Sequence, residues 1–235
     1  TIGDEIWTCT VTPNDGDDDG SSATASVTIQ SCDIGWGADE VSLSGANYTF
    51  LGENTGDSAG YWVAPAGDVD GDGLADLLIT AEGEDSGGSA AGATYLVFAA
   101  SLGSDSEISL SDADYQFIGE ESTDYAGTVA SSAGDVDADG LDDILVGAYG
   151  EDTGGEDAGA TYLVLGSSLD SSSIDLADAD YILTGENKDD KSGKSVSGAG
   201  DVDGDGLDDI LIGAYYADDG GNHSGAAYLI LGLGQ

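Results

Sequence analysis

One string organises this chain. The run GDVDGDGLADLLIT at residues 67–80 returns as GDVDADGLDDILVG at 134–147 and as GDVDGDGLDDILIG at 200–213. Asp68, Asp135 and Asp201 stand at the same point of the three copies, at offsets of 67 and 66 residues. The same offsets superimpose Tyr48, Tyr115 and Tyr181, and then Glu53, Glu120 and Glu186. They also align GATYLVF (92–98), GATYLVL (159–165) and GAAYLIL (225–231). A period of this length restricts a chain to repeat architectures, in which each unit is one supersecondary motif stacked on the next. Units 40–106, 107–172 and 173–235 tile the chain, and residues 1–39 stand apart.

Each unit reads as short strands. YTFLGE and YQFIGE alternate in the manner of a half-buried strand. LLIT, DILVG and DILIG are unbroken apolar runs, which suit a strand covered on both faces. ATYLVF supplies a third strand, and the segment around Val41–Leu43 and its equivalents a fourth. Glycine-rich loops such as GEDSGGSAAG separate them. With 39 glycines and no helical periodicity, no substantial helix is expected. The expected fold is all-β: three tandem four-stranded propeller-type blades, since a blade with two apolar faces must stack on its neighbours.

Residues 1–39 are expected to form a short β-hairpin resembling the end of an immunoglobulin- or cadherin-like domain. A lone hairpin is marginal in water, so it must pack on something. Cys9 and Cys32 are the only cysteines, compatible with one disulfide or with two free thiols. The chain has no methionine and opens on a strand-like run, so the expectation is a mature or cleaved piece of a longer secreted protein.

Charge narrows the function classes. The chain has 48 acidic residues against 3 basic ones, a formal net charge of −45. Such a surface repels nucleic acid and anionic membranes, and favours multivalent cations. No apolar run approaches the roughly 18 residues of a membrane span. With 40% hydrophobic residues in regular runs, a packed fold is expected.

The acids concentrate in one loop per unit. Asp68, Asp70, Asp72 and Asp76 occupy loop positions 1, 3, 5 and 9. Asp135, Asp137, Asp139 and Asp143 repeat the pattern, as do Asp201, Asp203, Asp205 and Asp209. Two carboxylates ~5 Å apart repel by roughly 3 kcal/mol at an effective dielectric near 20. Such a loop is strained without a cation. Oxygen is nearly all it offers, with position 7 (Leu74, Leu141, Leu207) adding a backbone carbonyl. Ca²⁺ accepts six to eight oxygens in flexible geometry, whereas Mg²⁺ resists losing its waters and Zn²⁺ wants Cys or His. The loop opens like an EF-hand and closes differently. Position 12 is Ile79, Val146 or Ile212, where that motif needs a glutamate.

The combination of YTFLGE, DSAG, AGDVDGDGLADLLITA and GATYLVF resembles the FG-GAP repeat, which builds the propeller blades of integrin alpha chains and occurs in many bacterial secreted proteins. The resemblance covers residues 40–235. It implies four-stranded blades with about three Ca²⁺, one per repeat, held by the aspartates and position-7 carbonyls just named. Ala138 departs from the pattern, because the other copies have Gly71 and Gly204 there. If that position needs positive φ, alanine is strained. The blade count departs as well, since closed propellers usually have four to eight. Three units cannot close a ring alone, which points to a fragment, an open array or association between copies, and an end-to-end contact of that kind gives rings or filaments.

No catalytic constellation stands out. His223 lies in a glycine-rich loop and reads as solvent-exposed. Gly193-Lys194-Ser195 lacks the upstream glycine of a phosphate loop, where Lys188 stands. Asn47 and Asn222 begin glycosylation sequons. The expected function is therefore a non-enzymatic, calcium-stabilised extracellular module for structure or adhesion, associating end to end. Its expected partners are other copies or neighbouring repeats of a longer chain, and a protein or glycan ligand. The alternatives are an accessory propeller fragment of a larger secreted enzyme or surface protein, and an acidic surface that serves solubility in salt. Lys188, Lys191 and Lys194, the only basic residues, are expected to form a patch where an acidic neighbouring copy docks.

Overall fold

The computed structural model describes residues 42–234 and the backbone of two further strands. The chain divides into two compact units, Thr1–Thr49 and Phe50–Gln235. In the first, β1 (Ile6–Val11) pairs antiparallel with β2 (Ala23–Thr28), Ile6 opposite Thr28 and Val11 opposite Ala23. The expected N-terminal hairpin is thus present. Pairing of Cys9 with Cys32 lies outside the described residues.

The second unit runs from β3 (Thr49–Leu51) through β4 (Val63–Gly67), β5 (Asp76–Ala81), β6 (Ala93–Val97), β7 (Glu107–Ser109) and β8 (Tyr115–Ile118). It continues with β9 (Val129–Gly134), β10 (Asp143–Ala148), β11 (Ala160–Val164), β12 (Ser173–Asp175) and β13 (Tyr181–Thr184). β14 (Ser192–Gly200), β15 (Asp209–Ala214) and β16 (Ala226–Ile230) complete it. The described residues contain no α-helix, only single 3₁₀ turns, and no helix long and apolar enough to cross a membrane.

These strands form propeller-type blades. The first is β4-β5-β6-β8 with β12 added at its edge, the second β9-β10-β11-β13, and the third β14-β15-β16. The outer strand of a blade comes from the following sequence repeat. β8 pairs antiparallel with β6, and β13 with β11. Before supplying that strand the chain makes an excursion, β7 or β12, which pairs with the preceding outer strand: β7 with β3, and β12 in parallel with β8. Sequentially adjacent blades are therefore laced together by backbone hydrogen bonds. In the later copies the segment equivalent to Val41–Leu43 is β7 or β12 running directly into a 3₁₀ turn, Leu110–Asp112 or Leu176–Asp178; the same turn, Leu43–Gly45, is present in the first copy, where Val41 lies outside the described residues.

Packing follows from alternation. Successive side chains of a strand point to opposite faces, so an unbroken apolar strand contacts both neighbours. Leu78, Leu96 and Phe117 of the first blade share a core with Ile144, Val146 and Tyr162 of the second. On the other face of the second blade, Leu145 and Leu163 meet Val196, Ile210 and Ile212 of the third. The core thus lies between blades rather than within one.

Each β-hairpin that holds an aspartate loop shifts register at its loop end, near Gly67, Gly134 and Gly200. These glycines have φ of 86°, 78° and 68°. A glycine bulge of this kind re-aims the strand, here into the aspartate loop.

The three lysines expected to form a docking patch each have a partner within the chain. Lys188 pairs with Glu156, Lys191 Nζ lies 2.8 Å from Asp157, and Lys194 Nζ sits 3.9 Å from the centroid of the Tyr149 ring. All three partners belong to loops of the second blade. Residues 193–195 lie within β14 rather than in a phosphate loop. His223 is exposed, with its ring edge against Tyr216.

Candidate metal centre

Each aspartate loop joins the first two strands of a blade. In all three, carboxylate oxygens from positions 1, 3 and 9 converge. Asp68, Asp70 and Asp76 each offer one oxygen within 4.8 Å of the others, as do Asp135, Asp137 and Asp143, and Asp201, Asp203 and Asp209. Position 5 stands outside these triads. Asp72, Asp139 and Asp205 instead accept the backbone N–H of position 7, at 2.7, 2.9 and 3.0 Å. The position-7 side chains Leu141 and Leu207 pack near Gly166 and Gly232, so their polar contribution is confined to the backbone.

The two kinds of ligand position differ in environment. Position 1 accepts the N–H of position 6, from Gly73, Gly140 or Gly206, at 2.9 to 3.0 Å. That bond closes the turn. Position 3 is exposed in the first and third loops. Position 9 is fully buried in all three. One Asp76 oxygen accepts from Val69 N–H at 3.0 Å and the other from Ala99 N–H at 2.9 Å. Asp143 bonds Val136 and Gly166 in the same way, and Asp209 bonds Val202 and Gly232. This carboxylate ties the start of the loop to the end of the third strand. Burial raises the pKa of Asp143 to about 6, and nearby Asp137 and Asp139 push in the same direction. Burial is also the main cause of the raised pKa of Asp76.

The donor set fits a hard divalent cation. Every side-chain donor in the triads is a carboxylate oxygen. Asp68 Oδ1 is buried without a hydrogen-bond partner, an arrangement that costs free energy unless something positive meets it. Carboxylates at this spacing match the preferences of Ca²⁺.

Position 8 carries a role that the sequence reading passed over. Asp142 Oδ2 accepts the N–H of Asp68 at 2.7 Å, and its own N–H donates to Asp68 O at 3.0 Å. Asp208 clamps Asp135 identically, at 3.1 Å for both bonds. The second and third loops thus grip the loop of the preceding blade at its position-1 aspartate. A Cβ on Gly67 or Gly134 would collide with these carboxylates, a second reason for glycine there. The available signal was the aspartate at position 8 in two copies, against Ala75 in the first.

The remaining recurrent acids have turn roles. Asp57, Asp124 and Asp190 are buried and accept backbone N–H groups from Asn54, Glu121 and Asn187 at 2.8, 3.0 and 3.1 Å. Glu53 accepts the Tyr95 hydroxyl at 2.9 Å, and Glu151 accepts Thr153 N–H at 2.7 Å.

Comparison with known proteins gives a consistent picture. The FG-GAP repeat matches residues 59–97, 126–164 and 192–230, which span the first three strands of each blade. Integrin alpha-5 of Xenopus laevis is 35% identical over 124 residues, 50% of this chain. That stretch is 11% of the integrin's own length.

Three outcomes follow from the loop geometry. Ala138 has φ of 62°, where Gly71 and Gly204 have 75° and 81°. The left-handed conformation costs an L-residue about 1–2 kcal/mol, partly offset by glycine's entropy, so Ala138→Gly should stabilise by about 0.5–1 kcal/mol in urea unfolding. Asp76→Ala leaves two backbone N–H groups buried and unpaired, at about 1–3 kcal/mol each, and should destabilise even the calcium-free chain. Asp70→Ala, at an exposed position, should lower calcium affinity with little effect on calcium-free stability. A further outcome concerns pH. Asp143, at about 6, keeps its proton when folded where the unfolded chain has lost it. Between pH about 4 and 6 the folded state binds more protons, so calcium-free stability falls as pH rises through that window. Calcium needs the ionised carboxylate and is released as pH falls. Melting in chelator should therefore be higher at pH 5 than at pH 7, while the increment that calcium adds should be smaller at pH 5.

Proposed function

Because the chain carries three FG-GAP repeats, each with one aspartate triad, we propose that it is a calcium-stabilised extracellular module of the adhesion type that associates with other copies end to end. The observation that carries this reading is the threefold recurrence of the triad at one register, each with a buried carboxylate at position 9. Ca²⁺ supplies the charge that lets those carboxylates coexist. Asp68, Asp70 and Asp76, with their equivalents in the other loops, would hold it, joined by the position-5 aspartates and position-7 carbonyls. Bound there, the ion fixes the loop from which the second strand of each blade departs. The similarity to an integrin alpha chain supports an extracellular setting and a protein or glycan partner.

The chain acts in this reading by presenting a rigid surface rather than by catalysis. An acidic surface excludes nucleic acid as a partner and leaves protein contact to its uncharged regions.

Calcium titration by calorimetry, combined with thermal melting, tests the reading. Three ions per chain are expected. Binding to the folded state alone stabilises by about 2.7 kcal/mol per site at a hundredfold excess over Kd. Excess chelator should therefore lower Tm strongly. A melting curve that chelator does not move would refute the proposal.

A further inference from the structure

We propose that neighbouring calcium sites of this chain bind cooperatively, with Asp142 and Asp208 as the positioning residues that couple them: Asp142 links the second site to the first, and Asp208 links the third to the second. This deepens the calcium reading above and rests on it.

Asp142 stands between two ligand positions of the second loop, the carbonyl of Leu141 and the buried carboxylate of Asp143. Its own carboxylate belongs to no triad among the described residues. It faces the first loop instead. Oδ2 accepts the N–H of Asp68 at 2.7 Å, and Asp142 N–H donates to Asp68 O at 3.0 Å. Asp68 is itself a member of the first triad. A residue flanked by ligands of one site thus holds a ligand of the neighbouring site by both of its backbone polar groups. Asp208 stands between Leu207 and Asp209 and holds Asp135 by the same two bonds, each 3.1 Å. Packing follows the same line. A Cβ on Gly71 of the first loop would come within 2.9 Å of Leu141 Cδ2. Gly166, whose N–H donates to Asp143, lies so close to the first loop that a Cβ on it would stand 3.2 Å from Val69 O. Gly232, which donates to Asp209, has the same relation to Val136 O, also at 3.2 Å.

Coupling requires an element whose order both sites bias. Here that element is the clamped pair, Asp142 with Asp68 and Asp208 with Asp135. Occupation of the second loop fixes Leu141 and Asp143, and Asp142 is fixed between them. A fixed Asp142 confines the backbone of Asp68 before the first loop is occupied, so the first site loses less conformational entropy on binding. Linkage makes the effect equal in both directions. The first and third loops share no clamp among the described residues, so with the second site disabled they act independently. Charge and clamp are separable. The Asp142 and Asp208 charges strengthen the sites beside them without coupling them, whereas the hydrogen bonds couple them. Asparagine keeps an oxygen for the backbone N–H and removes the charge, and alanine removes both. The sign of the coupling is diagnostic. Repulsion between two divalent ions, or two sites of unequal affinity, broadens a binding curve, and only a favourable link steepens it.

The test titrates calcium into chains with one loop disabled. Asp70→Ala/Asp72→Ala leaves the second and third sites, which Asp208 joins. Asp137→Ala/Asp139→Ala leaves the first and third, which share no clamp. Calorimetry on the first variant should show two ions and a Hill coefficient above one, the second ion binding roughly fivefold tighter than equal independent sites allow. Adding Asp208→Ala to it should abolish the cooperativity, while Asp208→Asn should keep it at lower overall affinity. The second variant should bind two ions without cooperativity, a contrast that stands even if Asp208→Ala does not fold. Hydrogen exchange supplies a readout other than affinity. In Asp137→Ala/Asp139→Ala, calcium held by the third loop should slow exchange of the Asp135 amide by roughly threefold or more, through Asp208. Independent binding in the first variant, equal cooperativity in the second, or cooperativity that survives Asp208→Ala would overturn the proposal. So would an Asp135 amide that calcium does not slow. Three ions bound independently by the parent chain overturn this coupling and leave the calcium reading standing, whereas a chain that binds no calcium overturns both.

Discussion

A carboxylate with no exposed surface sits at the ninth position of every aspartate loop, and the geometry of each blade depends on it. Asp76, Asp143 and Asp209 each accept two backbone N–H groups that come from different segments. One bond fixes the loop at its second residue, and the other fixes the chain where it leaves the third strand. A buried charge is tolerated only when its hydrogen-bonding capacity is met, and here the backbone meets part of it. The rest of the carboxylate faces the triad, where two further acids wait for a cation. Blade geometry and the candidate metal triad are thus joined in a single side chain.

The position-8 clamp extends that arrangement from one blade to the next. Asp142 and Asp208 reach back to the backbone of Asp68 and Asp135, the first ligands of the preceding loops. An ion that orders one loop therefore also orders the surface on which the next loop rests. The apolar cores between blades act in parallel, since Leu145 and Leu163 have no place to go except against the third blade. The acids of the described residues lie mostly in loops or at strand ends, while the strand segments that face one another are nearly uncharged.

Much of this was legible in the residues. The spacing of the acids identified the loops, and three triads appear where expected. Ala138 could be marked from the sequence because glycine occupies its place in the other copies, and its φ of 62° shows why. Other features were not legible. The strand expected around Val41–Leu43 and its equivalents gives way at its leucine to a 3₁₀ turn, at Leu43, Leu110 and Leu176 alike. Nor was it legible that Lys188 and Lys191 pair with Glu156 and Asp157. Sequence distance hid those pairs, because they join loops of two adjacent blades.

Local chemistry was determined by the sequence alone: strands where apolar residues run together, turns where glycine recurs, oxygen-rich loops at a fixed period. Those features depend on residues close together in the chain, and a threefold repeat makes them hard to miss. Tertiary structure alone decided which strand completes which blade. An outer strand pairs through its backbone, and backbone hydrogen bonding carries almost no sequence signature, so YQFI could have closed its own repeat or the one before it. It closes the one before, because the antiparallel edge of β6 lies within reach and the excursion through β7 gives the chain room to turn.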